Sequence, residues 1–278
     1  MIPRDAIIEW QEKAPWSDLA QVEQDLVLTK AIIQISSSFG TSPAFALRGG
    51  TAMQKLFFNV PTRYSEDLDL VQIKNEPIGP AIDIIRNSLD PWLGNPKRDR
   101  KKDRFSLIYR FNSEIPPIRS MRLKIEVNNG EHFNVFGFQK KRLQCANSWF
   151  RGEAEITTYE LEELLGTKLR ALYQRKKGRD LFDLKMAVEH FPKLDPEKVI
   201  KCFQKYIAHE GGNVSRAQFE ANLLNKVGQD SFTKDLSPLL TSESEILDFS
   251  KASQDIIQIF LALLPGEPWK GHEEHKDN

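Results

Sequence analysis

The chain has 278 residues and balances 39 Lys and Arg against 39 Asp and Glu, so its formal net charge is zero. This length permits one large domain or two modest ones, and the neutral balance excludes the global basic field that marks many nucleic-acid-binding proteins. Two cysteines are too few for a disulfide framework. No segment has the apolar length of a signal-peptide core or a membrane span, so a soluble cytoplasmic protein without membrane contact is expected.

The N-terminal part predicts helices around short strands. Apolar positions at helical spacing predict a helix over 18–39, and the apolar run at 45–47 predicts a short buried strand. A second helix is predicted over 51–58. Pro61 then closes the connection into a strand over 65–71.

Two aspartates in that strand are the most informative feature of the chain. Because successive side chains of a strand point to opposite faces, Asp67 and Asp69 share one face while Leu68 and Leu70 occupy the other. Adjacent carboxylates form a hard-oxygen site suited to Mg²⁺. The turn at 49–51, Gly-Gly-Thr, opens a helix whose backbone N–H groups can hold a phosphate chain. Together these features indicate metal-assisted transfer on a nucleoside triphosphate.

The middle of the chain predicts further strands after a helix over 80–89. A basic run at 97–104 is interpreted as a loop, which is either solvated or in contact with a polyanion. Two alternating strands follow, at 105–111 and 121–127. Glu126 lies on the polar face of the second strand, where it either points to solvent or adds a third carboxylate to the aspartate site.

From Thr157 onward the pattern becomes helical. Thr157 and Glu160 predict a capping box at the start of a helix that reaches about residue 176. Lys168 falls within the apolar stripe of this helix, where an amine costs free energy unless an anion receives it or its stem lets it reach water. Arg175 lies on the same face, which favours contact of both cations with a triphosphate.

Two aspartates follow in the next predicted helix. Asp180 shares a face with apolar residues, and Asp183 lies one turn further on. After Gly178, Asp180 is an N-cap, a partner in an ion pair with Arg179 or Lys168, or a member of the functional site.

The predicted fold class is α+β in two domains. Residues 1–150 form N-terminal helices with a small mixed sheet, and residues 151–270 form a helical domain that contributes residues to the site. The polar tail at 271–278 is expected to be disordered.

Four segments carry a resemblance to a known family: FALRGGTAMQKLFF at 45–58, RYSEDLDL at 63–70, KIEVN at 124–128, and LLGTKLRAL followed by RDLFDL within 164–184. In this order they resemble the motifs of the AbiEii/AbiGii toxin nucleotidyltransferases, a branch of the DNA polymerase β-like superfamily. The resemblance implies a minimal polymerase-β-type catalytic domain followed by a helical domain. It also implies the toxin of an abortive-infection toxin–antitoxin pair.

The resemblance further implies roles for individual residues. Those implied to bind the triphosphate are Gly49, Gly50, Thr51, Ser65, Lys168 and Arg175. Those implied to bind Mg²⁺ or Mn²⁺ are Asp67, Asp69 and Glu126. Either Asp180 or Asp183 is the acidic residue of the fourth motif. The implied substrates are an NTP and an RNA acceptor such as tRNA, and the implied partner is an antitoxin encoded nearby.

Three functions remain open at the level of sequence. The first is a toxin that transfers a nucleotide to RNA, and the second is a nucleotidyltransferase that modifies a small molecule or a protein hydroxyl. The third is a non-catalytic module that binds a nucleotide or a partner protein, which the presence of Asp67, Asp69 and Lys168 disfavours.

Overall fold

A computed structural model describes residues 2–241 and 247–271. It divides the chain into two compact units, the first ending at Glu160 and the second beginning at Leu161, with a short segment from Leu240 counted in the first. The first unit combines helices with a sheet, and the described part of the second is helical, so the predicted α+β class is confirmed.

The first unit contains four helices and seven strands within its described residues. The helices are α1 Arg4–Trp10, α2 Leu19–Ser38, α3 Gly49–Leu56 and α4 Ile78–Leu93. The strands are β1 Phe45–Arg48, β2 Asp67–Gln72, β3 Lys97–Lys101, β4 Arg104–Asn112, β5 Ser120–Asn128, β6 Phe138–Ala146 and β7 Arg151–Tyr159.

These strands form one mixed sheet in the order β3-β4-β5-β2-β1-β7-β6. Strand β2 runs parallel to β5 and antiparallel to β1, while β1 runs parallel to β7. Both outer pairs, β3 with β4 and β6 with β7, are antiparallel hairpins. The two aspartates of β2 therefore lie on an interior strand, where neighbours on both sides fix their position.

One face of the sheet carries the apolar core of the first unit. Leu107, Tyr109, Leu123, Ile125 and Val127 alternate along β4 and β5 and are fully buried. Burial of this face fixes the register, because a shift by one residue would turn the apolar set outward.

The structure corrects the predicted elements at several points. The run at 97–104 is not a loop: it forms β3 and the turn into β4. Thr157 does not begin a helix, because it lies in β7, which extends the sheet and moves the boundary between the units from 150 to Glu160. Strands β6 and β7 were not predicted. Apart from Gly271, the tail at 271–278 lies outside the described residues.

The second unit is a set of packed helices: α5 Leu161–Gln174, α6 Gly178–His190, α7 Pro196–His209, α8 Arg216–Val227, α9 Asp230–Thr233 and α10 Phe249–Ile259, with short 3₁₀ turns at Ser237–Leu239 and Leu261–Leu263. Helix α5 packs mainly on α7 and α6. None of the described helices in either unit is long and apolar enough to cross a membrane.

A buried lysine from α8 closes the C-terminal end of α5. The Lys226 ammonium donates hydrogen bonds to the carbonyl oxygens of Leu172 (2.5 Å) and Tyr173 (2.7 Å), which lack partners within their helix. Burial lowers the pKa of Lys226 to about 8. The lysine thus supplies a cap at the cost of holding a charge away from water.

We expect this lysine to make stability depend on pH in the alkaline range. The pKa of about 8 in the folded state lies below the value of about 10.4 in the unfolded chain, so the unfolded state binds more protons between these limits. The free energy of unfolding should therefore rise from about pH 8 to about pH 10.4. Lys226→Met should lack this rise and lose about 1–3 kcal/mol, because the carbonyls lose their donor.

Urea unfolding at a series of pH values measures both effects. The exposed Lys205→Met serves as the control and should keep the wild-type profile. Parallel pH profiles for Lys226→Met and wild type would contradict the assignment.

Candidate active site

Strand β2 places the two aspartates as the alternation predicts. Asp67 and Asp69 are partly exposed, whereas the alternating Leu68 and Leu70 are buried on the opposite face. The two carboxylates therefore project from the same side of the sheet. This arrangement provides two hard oxygen donors next to each other on a rigid strand.

The glycine turn lies directly against one of these carboxylates. Strand β1 ends at Arg48 and α3 begins at Gly49, which has a φ of +79°. A Cβ atom at Gly49 would stand only 2.4 Å from the Oδ2 atom of Asp69. Only glycine combines this backbone conformation with this approach. The first turn of α3, whose N–H groups have no partner within the helix, is thus held beside Asp69.

A hydroxyl pair ties the start of α3 to the chain entering β2. The Thr51 hydroxyl donates to the carbonyl oxygen of Asp67 at 2.6 Å and lies 2.9 Å from the Ser65 Oγ atom. Since Thr51 has one hydroxyl proton, Ser65 is the donor in the second contact. Thr51 is 1% exposed, and its hydroxyl holds the backbone of the site.

Sequence reasoning missed a buried arginine behind the turn. Arg63 is 3% exposed, and its Nη2 atom would lie 2.3 Å from a Cβ atom placed at Gly50. It also donates from Nη1 to the Tyr64 carbonyl oxygen at 2.9 Å. Arg63 therefore supports the first turn of α3 and explains the second glycine. Its place as the first residue of the RYSEDLDL motif was the only signal available.

Glu126 lies next to Asp69 but is engaged by cations. The parallel register of β2 and β5 pairs Asp69 with Glu126, so the two share a face of the sheet. Arg104 contacts the Glu126 carboxylate at 3.0 Å, and Lys124 forms a second ion pair with it. Among residues 2–241 and 247–271, no group of three or more His, Cys, Asp or Glu side chains is arranged to hold a metal ion. Asp67 and Asp69 thus present two carboxylates at this place, with Glu126 beside them.

A second pair on the same face was also missed from the sequence. Arg48, the register partner of Asp69 on β1, contacts the Glu131 carboxylate at 2.5 Å, and both side chains are largely buried. Glu131 belongs to the segment after β5, and no local pattern connects that segment with β1. This ion pair anchors that segment at the edge of the glycine turn.

The second unit gathers the other predicted site residues into a buried charge cluster. The Lys168 ammonium lies 2.9 Å from Asp183 and 3.3 Å from Asp180, and both aspartates are fully buried. Arg175 donates two hydrogen bonds to Asp180, from Nε to Oδ2 at 2.7 Å and from Nη2 to Oδ1 at 2.9 Å. Lys168, which lies on an apolar stripe, therefore has its anionic partners within the protein, in Asp180 and Asp183.

Charge in this cluster keeps Asp180 ionised. Burial by itself would raise the pKa of Asp180, but the charge of Lys168 and the hydrogen bonds from Arg175 outweigh it and hold the pKa below its usual value. Asp180 is not the N-cap of α6: that residue is Lys177, and Asp180 lies in the first turn. The alternative of an ion pair with Lys168 is the one observed.

The fold and the glycine–aspartate site together define the class of protein, a nucleotidyltransferase. The family model described as "Nucleotidyl transferase AbiEii toxin, Type IV TA system" matches residues 36–258. The chain belongs to this family of nucleotidyltransferase toxins. The recognised family is thereby confirmed, and the matched span extends well beyond the segments that carried the resemblance.

Two solved structures illustrate the likeness in fold. The MenT4 nucleotidyltransferase toxin from Mycobacterium tuberculosis has a TM-score of 0.65 and 12% identity, covering 96% of this chain and 91% of its own. A putative nucleotidyltransferase from H. pylori has a TM-score of 0.51 and 16% identity, covering 84% of this chain and 92% of its own. No curated protein sequence matches the chain. At these identities the two structures establish a shared fold.

Gly49→Ala should disable the site through the contact with Asp69. The left-handed backbone alone costs an alanine about 1–2 kcal/mol, and the new methyl group would also displace the carboxylate. Gly211 has a φ of +77° with open space around it, so Gly211→Ala carries the strain without the clash. We expect Gly49→Ala to lose Mn²⁺ and NTP binding in calorimetry. Equal binding by Gly49→Ala and Gly211→Ala would contradict this role.

Lys168→Met should destabilise the second unit by about 3–5 kcal/mol, because it leaves two buried carboxylates with too few cations. The double variant Lys168→Met/Asp183→Asn removes one of those charges and should recover part of the loss. Chemical denaturation measures both, with the exposed Lys205→Met expected to stay within about 0.5 kcal/mol of wild type. A Lys168→Met protein as stable as wild type would show that the cluster contributes little to folding.

Proposed function

We propose that this toxin nucleotidyltransferase transfers a nucleoside monophosphate from an NTP to a hydroxyl of an RNA acceptor, such as tRNA, in a reaction that depends on Mg²⁺ or Mn²⁺. Its family makes an NTP the general substrate and an antitoxin the general partner. The divalent ion, the RNA acceptor, a cytoplasmic site of action and an antitoxin encoded nearby are the proposed parts.

The observation that carries the proposal is the contact between the glycine turn and the aspartate strand. Asp67 and Asp69 face the same side of β2, and Gly49 approaches Asp69 so closely that no side chain fits between them. A group that donates N–H bonds to phosphate and a group that binds cations are thus held together. A triphosphate with its counter-ion is the ligand that satisfies both.

The donor set fits a small divalent cation. Mg²⁺ is commonly bound through one or two carboxylates, with substrate phosphates and water completing its coordination, and Mn²⁺ accepts the same oxygen ligands. Asp67 and Asp69 would hold the ion, and Glu126, the register partner of Asp69 on β5, would lie beside it. When bound, such an ion lowers the pKa of an attacking hydroxyl and neutralises charge on the leaving pyrophosphate.

The protein's own groups orient the substrate for in-line attack. The N–H groups of Gly49, Gly50 and Thr51 would direct the phosphate chain, and Ser65 would hold Thr51 in place. The buried Arg63 adds positive charge behind the turn. These contacts fix the α-phosphorus before the acceptor hydroxyl arrives, which lowers the entropy lost on reaching the transition state.

In the second unit, Arg175 and Lys168 divide the roles that the resemblance implies. The Arg175 side chain is 50% exposed and Asp180 fixes its orientation, so it is the cation presented for a phosphate. Lys168 is 6% exposed and bound to both aspartates, which gives it a positioning role. Asp180 is then the acidic residue that orients Arg175, and Asp183 holds Lys168.

The alternatives differ in the acceptor. A small-molecule or protein hydroxyl would use the same NTP chemistry, and a non-catalytic module would bind NTP without releasing pyrophosphate. Purified protein incubated with each α-labelled NTP, Mg²⁺ and total RNA separates them. Label in RNA supports the proposal, and label in protein or in an added small-molecule extract supports the second function. NTP that stays bound and unreacted with every acceptor supports the third.

Asp67→Asn and Asp69→Asn should each abolish transfer, because each removes half of the cation-binding charge. The decrease should be about a hundredfold to a thousandfold, as for other single groups that stabilise a transition state. Asp83 is an exposed aspartate on α4, and Asp83→Asn is the charge-matched control that should retain full activity. Melting curves verify that the variants fold, and wild-type turnover by Asp67→Asn would remove the metal-binding role.

A further inference from the structure

The three strands β5, β4 and β3 extend the sheet away from the aspartates to its edge. Their register decides which of the many charges in this region share a face with Asp69. Glu126 on β5 is opposite Ser106 on β4, and Ser106 is opposite Asp99 on β3. Asp69, Glu126, Ser106 and Asp99 thus form one row across four strands.

Rows on either side of this one are rich in cations. Residues in register share a face, so the even-numbered positions of β4 and β5 and the odd-numbered positions of β3 lie on the aspartate side. We call the cations on this side the cationic face: Lys97, Lys101, Arg104, Arg110, Arg122 and Lys124. Only two acids of β3, β4 and β5, Asp99 and Glu126, share it.

Most of this charge is available to a ligand. Apart from Lys124, every member of the cationic face is exposed. Within the described parts of the chain, Lys97, Lys101 and Arg110 form no salt bridge, and Arg122 reaches Glu66 only at 3.9 Å with both side chains about half exposed. An exposed pair of this kind contributes little and gives way easily. Glu126 pairs with Arg104 and Lys124, so its single negative charge offsets only part of their combined positive charge.

From this geometry we infer that the cationic face is the track for the phosphate backbone of the RNA acceptor, running from β2 across β5 and β4 to the edge strand β3. The inference rests on the proposed function and adds the surface that carries the acceptor. Three strand spacings of about 4.8 Å make the track about 14 Å long, enough for several phosphates beside the aspartates. Six cations against two acids on one side of three neighbouring strands, next to a nucleotide site, favour a polyanion there.

The edge strand supplies its own matched control. Arg98 and Arg100 alternate with Lys97 and Lys101 and are equally exposed, but they are in register with Leu107 and Phe105 and so lie on the opposite face. If the charges of β3 only protect a sheet edge from pairing with other chains, both pairs serve that purpose equally. If they bind the acceptor, only Lys97 and Lys101 matter.

The test compares Lys97→Gln/Lys101→Gln with Arg98→Gln/Arg100→Gln. Binding of a short fluorescein-labelled single-stranded RNA is measured by anisotropy from about 50 to about 200 mM salt, with NTP binding measured in parallel. Losing two phosphate contacts should lower the slope of log K against log salt by roughly 1.4, about 0.7 for each contact. The Arg98→Gln/Arg100→Gln protein should keep the wild-type slope, and both should bind NTP as wild type does.

Each result decides the inference. A reduced slope for the lysine pair alone supports it, whereas equal losses in both pairs, or none in either, overturn it. If wild type labels RNA while the lysine pair binds RNA normally, the track is wrong and the proposed function stands. If wild type neither binds nor labels RNA, the RNA acceptor itself fails. Labelling of RNA that Lys97→Gln/Lys101→Gln slows through KM, with kcat unchanged, would support the track independently.

Discussion

The close approach of Gly49 to Asp69 is the constraint on which the site of the first unit depends. A carboxylate and the open end of a helix are both polar, and in water each would be solvated separately. Here the absence of a side chain at Gly49 lets them come close together, because a Cβ atom there would lie 2.4 Å from the Asp69 Oδ2 atom. The Thr51 hydroxyl fixes the same turn to the backbone of Asp67. The helix end and the carboxylate are therefore prepared for one ligand with both negative and cationic parts, which is the nature of a metal-bound triphosphate.

The second unit organises charge by burial. Two fully buried aspartates and a nearly buried lysine would each be costly alone, and they are tolerated because they neutralise one another. The result is a fixed orientation for Arg175, whose guanidinium is the accessible end of the cluster. The geometry thus separates a group that can meet a ligand from the groups that hold it in place.

Alternation along strands explains why a chain without net charge can present a cationic surface. Charges that look intermixed in the run at 97–104 are divided between two faces once β3 forms, and register with β4 and β5 adds further cations to one of them. The opposite face is apolar along β4 and β5 and buries the core. The same period of two that builds the core therefore segregates the charge.

The sequence by itself determined the α+β class, the family, the strand carrying Asp67 and Asp69, the glycine turn before it, and the inward position of Lys168. The strand, the glycine turn and the position of Lys168 are local features that depend on side-chain period and on residues close together in the chain, whereas the family rested on the resemblance of four motifs in order. Only the tertiary structure decided that β3 is a strand, that Thr157 belongs to the sheet, that Glu126 is bound by Arg104 and Lys124, and that Arg48 meets Glu131. The first two depend on hairpin pairing of neighbouring segments, and the contacts of Arg48 and Arg104 depend on segments far apart in sequence. In both cases register across the sheet is set by burial of a whole face, which no single segment encodes.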